Sequence, residues 1–173
     1  MADPETIVRE HQHAVYNLAR RLTGSADTAG EITQEAFLRL LGMLARGRNP
    51  GGTRSYLYRT VLNLCADRWR RLGRETLLDG ELPAGVTAQP EWQAAHRELA
   101  GDVRRAVSEL PLLYRQVVIL RYYQELSYEE IARVLGWPLS LVRNRLYRAR
   151  QRLRDRLDGE GEEARRLAGA MPG

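Results

Sequence analysis

The sequence predicts an all-α protein: two small helical bundles joined by a flexible acidic linker, with a helix-turn-helix in the C-terminal bundle. Three observations carry this. Apolar residues recur three and four apart over several long stretches, and no convincing strand pattern appears. Glycines and prolines break the chain between those stretches. The Ser127–Leu157 stretch holds two capped helical segments around a glycine turn.

In the first bundle, Val8, Val15, Leu18 and Leu22 share one helical face, and Thr23-Gly24 ends the run. A second helix is expected over Thr28–Ala45. Thr28 and Glu31 have capping-box spacing there, and Ile32, Ala36, Leu40 and Leu44 form its stripe. Gly47, Asn49, Pro50, Gly51 and Gly52 force a loop. A third helix follows over Thr53–Leu72. It carries Leu57, Val61 and Leu64 on one side and Tyr58, Leu62, Cys65 and Trp69 on another. An arc that wide is either central to its bundle or uses one side for a partner. Gly73, Gly80, Pro83, Gly85 and Pro90 then disperse the periodicity, so residues 74–96 read as a linker.

In the second bundle, Val103, Ala106, Val107 and Leu110 end at Pro111, and Leu112–Tyr123 is strongly apolar. Ser127-Tyr128-Glu129-Glu130 is a capping box. The helix it opens stops at Gly136, and Trp137-Pro138 prevents continuation. Ser140 reads as the next N-cap. Small Ala132, turn-forming Gly136 and apolar Val142 have helix-turn-helix spacing. On the last helix Val142, Leu146, Ala149 and Leu153 make the core stripe, while Arg143, Asn144, Arg145, Tyr147 and Arg148 lie opposite. Residues near the start of such a helix reach base edges, and later arginines mostly meet phosphates.

Charge agrees with this reading. All 27 basic residues are arginine, and the net charge is +5. Residues 1–74 hold 12 arginines against 7 acids, residues 75–102 one against 6, and residues 103–173 14 against 9. Two basic blocks flank an acidic one, the pattern of two nucleic-acid-facing modules. No apolar run approaches membrane-spanning length, and the N-terminus lacks a signal peptide's basic and apolar regions, so membrane insertion is not expected and the expected compartment is the cytoplasm. Cys65 is the only cysteine and reads as core. His11 and His13 have no accompanying ligand cluster, and neither a phosphate loop nor a catalytic triad can be assembled. No cofactor, metal site or enzymatic activity is expected.

Several segments resemble extracytoplasmic-function sigma factors of the sigma-70 family. Leu110-Pro111-Leu112-Leu113-Tyr114-Arg115, Ser127–Ala132, Gly136-Trp137-Pro138 and Val142–Arg150 resemble region 4. Ala19–Gly24, Ile32–Phe37 and Tyr56-Leu57-Tyr58-Arg59 leading to Asn63 and Asp67 resemble region 2. The resemblance divides the chain into region 2 (1–73), linker (74–96) and region 4 (97–158), and the composition of residues 159–173, rich in Gly, Glu and Ala, reads as a mobile tail. The resemblance implies a factor that binds RNA polymerase core, at the clamp helices of the largest subunit and the flap region, and places it on promoter DNA. An anti-sigma factor is an expected further partner.

By the same resemblance Ser140, Arg143, Asn144, Arg145, Tyr147 and Arg148 face the −35 element as duplex. Arginine is suited to guanine and asparagine to adenine. Tyr56, Arg59, Asn63, Arg68 and Arg70 face the −10 element as a single strand, where bases are held by stacking and edge contacts. Core packing is an equally good reading of Tyr56, and the better one for Tyr58 and Trp69. Glu31, Gln34, Glu35, Leu38 and Arg39 face the polymerase. The chain departs from the family at Gly30, in the loop 47–52, at Tyr56 (commonly tryptophan) and at Asn144 (commonly serine). The acidic linker reads equally as a nucleic-acid mimic or a plain tether. The alternative to a sigma factor is a stand-alone helix-turn-helix regulator whose first module dimerises or senses.

Overall fold

The structure is a computed structural model that describes residues 3–72 and 96–157, with the backbone alone for 96–100. The linker and tail expectations fall largely outside those residues. Every regular element among them is helical.

Three long helices form the first module. Helix α1 spans Pro4–Thr23, with Asp3 accepting from the Thr6 N–H and Pro4 in its first turn. It ends at Gly24 in the left-handed conformation (φ 73°). Helix α2 spans Ala26–Ala45. Its cap is Ser25, which accepts from the Thr28 N–H at 3.3 Å, so the helix starts two residues before the expected Thr28. A serine straight after the α1 stop offers the same capping oxygen earlier in the chain. Helix α3 spans Thr53–Arg71. Leu18 and Leu22 of α1, Ile32, Ala36 and Leu40 of α2, and Leu57, Val61 and Cys65 of α3 are buried together.

The second module holds α4 (His96–Ser108), α5 (Leu112–Val118), α6 (Tyr128–Leu135) and α7 (Leu139–Leu157). Helix α5 continues as a π-helical turn over Ile119–Tyr123, which periodicity does not foresee. Val117, Leu120, Ile131, Val142, Leu146 and Leu153 fill the core between α5, α6 and α7. The capping box is complete. Glu130 N–H donates to Ser127 Oγ at 3.1 Å, and Ser127 N–H donates to the Glu130 carboxylate at 2.7 Å. Gly136 is left-handed (φ 68°), and its N–H and that of Trp137 both reach the Ala132 carbonyl. Helix α7 starts earlier than expected. Pro138 occupies the cap position, its carbonyl accepting from Val142 N–H, and Ser140 lies within the first turn rather than at the cap. Proline is well placed there because it needs no N–H partner.

The wide apolar arc of α3 is resolved by its neighbours. One side packs on α1 and α2, and the other meets α6 of the second module. Helix α1 also touches α5 and the π-helical turn, so the two bundles share buried contacts.

Two stability measurements follow. Gly30 lies inside α2, exposed, with open space where a Cβ would stand. Gly30→Ala is expected to raise unfolding free energy by about 0.5–1 kcal/mol. Gly136→Ala is expected to lower it by about 1–2 kcal/mol, because alanine resists the left-handed turn. Second, the backbone hydrogen bond from Ser127 outweighs the opposing effect of burial and, with the Ser127 hydroxyl and the nearby charges of Arg54 and Arg133, holds the Glu130 carboxyl below its ordinary pKa. A depressed carboxyl adds stability above its unfolded pKa and loses it as pH falls through the folded one. Urea unfolding from neutral pH into the acid range should therefore show a loss in the wild type that is smaller in Glu130→Gln.

Candidate nucleic-acid interface

The recognition helix α7 is amphipathic by register. Val142, Leu146, Ala149, Leu153 and Leu157 are buried, while Ser140, Arg143, Asn144, Tyr147 and Arg148 are exposed. Tyr147 is 61% exposed, unusually open for an aromatic side chain in a folded helix.

The other arginines of α7 divide by what they touch. Arg145 is half-buried, its guanidinium carbon 5.1 Å from the centroid of the Tyr114 ring, and Arg152 lies 4.9 Å from the same ring. Such contacts are attractive because the ring face is electron-rich. Burial alone would raise the Tyr114 phenol, but hydrogen bonds from Arg148 and Arg145 and the charges of Arg145 and Arg152 hold it below its ordinary value. Arg150 donates to the hydroxyls of Tyr122 (2.8 Å) and Tyr128 (2.9 Å). Arg156 pairs with Glu109, tying the end of α7 to the α4–α5 connection. Arg143 and Asn144 remain on the open arc at the helix start, where a duplex groove is accessible.

In the first module, the five −10 candidates sit along α3. Tyr56 is half-buried, and Asn63 is exposed. Arg68 pairs with Glu31 of α2 at 2.9 Å, and Arg70 pairs with Asp67 at 2.8 Å. Arg59 donates to the carbonyls of Val134 (3.1 Å) and Arg133, at the end of α6. Arg59, Asn63 and Arg70 line one wall of a cleft of about 610 Å³, with Leu112, Leu135 and Trp137 opposite. The polymerase candidates occupy α2. Glu35 and Arg39 form an i,i+4 pair at 2.7 Å, and Glu31 and Gln34 are exposed. Leu38 is 57% exposed among these polar neighbours, the composition of a docking surface with one apolar anchor.

Sequence reasoning overlooked Tyr114, Gln124 and Arg115. Arg115 is 5% exposed and donates to the carbonyls of Leu22 (3.1 Å) and Leu110 (3.0 Å). Burial pushes its pKa down to about 10, so it stays charged near neutrality. The signal was available: Arg115 is a lone charge inside the apolar run from Leu112 to Leu120. Cys65 is fully buried, and desolvation pushes its thiol up to about 12, which leaves it a packing residue. No group of three or more metal-ligating side chains occurs among the described residues. No described helix is long and apolar enough to cross a membrane.

Comparison with known proteins places this architecture. A sigma-70 region 2 model matches residues 7–75, and a sigma-70 region 4 model matches residues 100–153. The ECF RNA polymerase sigma factor SigE of Mycolicibacterium smegmatis is 37% identical over 169 residues, covering 95% of this chain and 65% of that protein. The RNA polymerase sigma factor YlaC of Bacillus subtilis is 32% identical over 165 residues, covering 93% and 95%. The fold is also that of the sigma factor RpoE of Bartonella quintana, solved in complex with the anti-sigma factor NepR (TM-score 0.68, 18% identity, 91% of this chain and 98% of that one). A region 2 bundle followed by a region 4 helix-turn-helix defines a sigma-70-type transcription factor. The chain belongs to the extracytoplasmic-function (ECF) sigma factors of that family.

The division of arginines on α7 is testable by stability alone. Arg145→Ala is expected to cost about 0.5–1 kcal/mol through the lost Tyr114 contact. Arg143→Ala, on the open arc, is expected to stay within about 0.5 kcal/mol of wild type. Equal losses in thermal unfolding would contradict the assignment.

Proposed function

We propose that this chain is an alternative, ECF-type sigma factor. It binds bacterial RNA polymerase core in the cytoplasm, directs it to promoters through −35 and −10 elements, and promotes initiation without catalysing a reaction. The observation that carries the reading is the presence, in one chain, of two distinct surfaces. One is an open basic arc on α7 behind a well-formed turn. The other is the first module, with Leu38 exposed among polar residues of α2 and a polar face on α3.

Arg143, Asn144 and Arg148 are the proposed base readers at −35, with Tyr147 against the groove wall and Ser140 and Arg145 contributing at its edge. Arg59, Asn63 and Tyr56 are the proposed −10 readers, with Arg68 and Arg70 along the strand path. Glu31, Gln34, Glu35, Leu38 and Arg39 are the proposed contacts to the clamp helices, and region 4 is assigned to the flap. The Bartonella relative was solved with an anti-sigma factor. A partner of that class is proposed here too.

The test is run-off transcription from a pool of random promoter fragments, with purified chain and bacterial polymerase core, together and apart. Specific starts that require both components are expected. Arg143→Ala with Arg148→Ala should reduce them about tenfold or more, since each lost bidentate contact costs about 1–3 kcal/mol. Starts that survive the double change would overturn the −35 assignment. Tight duplex binding by the chain alone, without starts, would favour a stand-alone regulator.

A further inference from the structure

Helix α5 packs on α7, and the arginines on that side of α7 meet one buried side chain, Tyr114, which is 2% exposed. Arg145, Arg148 and Arg152 are three and four residues apart, so they share one face of the helix. The guanidinium carbons of Arg145 and Arg152 stand 5.1 and 4.9 Å from the Tyr114 ring centroid. Arg148 lies between them in register, and with Arg145 it donates to the Tyr114 hydroxyl. One tyrosine thus engages the whole row, the outer two arginines by its ring and the middle one by its oxygen. Arg148 itself is exposed, and no acid pairs with it among the described residues.

We propose that Tyr114 is a positioning residue for −35 recognition: its hydroxyl presets the Arg148 guanidinium for the groove, and its ring braces Arg145 and Arg152 on either side. The proposal rests on the −35 assignment of Arg148 made above. A free arginine side chain carries about 2 kcal/mol of rotamer entropy. A contact that orders it before DNA arrives lowers the cost of binding. The guanidinium has five N–H donors, so one given to the phenol leaves enough for a bidentate contact with guanine O6 and N7. Tyr114 is buried in α5 and acts on DNA through Arg148 rather than by touching it.

Tyrosine is also the right chemistry for this place. A carboxylate would hold the arginines more tightly, but it would cancel their charge and repel phosphate. A phenol accepts a hydrogen bond without a formal charge, and its electron-rich ring face attracts both flanking cations. The row is therefore held in place with its positive potential intact.

The test uses the full chain with isotope-labelled arginine, and its holoenzyme with bacterial polymerase core. NMR relaxation reads the order of the Arg148 Nε–H, whose signal is assigned by its loss in Arg148→Lys. It is expected to be ordered in the wild type and mobile in Tyr114→Phe, which keeps the ring and loses only the hydroxyl. Holoenzyme is then titrated with promoter fragments carrying single base changes across the −35 element. Tyr114→Phe should weaken binding roughly two- to tenfold, the range that one hydrogen bond supports. It should relax discrimination at the same base pair that Arg148→Ala relaxes. In the Arg148→Ala chain, Tyr114→Phe should add less than about twofold, because the group it positions is gone. A merely structural tyrosine would instead weaken every −35 base pair alike and act fully in the Arg148→Ala chain. Either result would overturn the proposal, as would unchanged promoter binding by Tyr114→Phe. A mobile Arg148 Nε–H in the wild type would overturn it without any variant. Failure of the −35 assignment shows separately, as unchanged discrimination at every base pair in Arg148→Ala, and the positioning role falls with it.

Discussion

The structure depends on arginine guanidinium groups meeting backbone carbonyls at the ends of helices and turns. Arg115 takes Leu22 and Leu110, Arg59 takes Arg133 and Val134, Arg54 takes Gln124, and Arg121 takes Leu126. Helix C-termini leave carbonyls without partners and carry partial negative charge, so a cation with several donors is a good fit. Arginine suits the role better than lysine, being planar, more weakly hydrated and able to bond two oxygens at once. In Arg115 the price of burying a charge is offset by two carbonyls and by the Trp69 ring, 5.7 Å from its guanidinium carbon. That residue joins the end of α1 to the start of α5, and so ties one bundle to the other.

The same residue type is shared between architecture and recognition. Along α7, successive residues differ by about 100° in direction, so helix register decides which arginines turn inward. Arg145, Arg150 and Arg152 meet tyrosines of the second module, and Arg143 stays outward. The inward set anchors the helix on which the outward set is displayed. A charge run that composition reads as one basic patch is thus two populations with different work. On α3, Arg59 is exposed and yet gives its guanidinium to the carbonyls of Val134 and Arg133 in the second module.

Much of this was legible because its causes are local. The capping oxygen of Ser127, the return bond from Glu130 and the left-handed Gly136 involve residues a few positions apart, so spacing alone identifies them. The starts of α2 and α7 were misplaced for an equally local reason. Ser25 and Thr28 offer the same capping oxygen, while Pro138 starts α7 without any side-chain oxygen, and spacing does not rank neighbouring starts. The π-helical turn was missed because one inserted residue in an apolar run leaves the hydrophobic pattern almost unchanged.

Sequence by itself determined the all-helical class, the two bundles, the helix-turn-helix and the family, since periodicity, caps and ordered motifs are properties of short segments. Only the tertiary structure decided the fate of the second side of α3, the partner of Gln124 and the split among the arginines of α7. Those contacts join residues 66 to 75 positions apart or depend on which neighbour lies across a helix. A guanidinium satisfied by a carbonyl and one waiting for a phosphate are the same letter in a sequence, and only the placement of the acceptor distinguishes them.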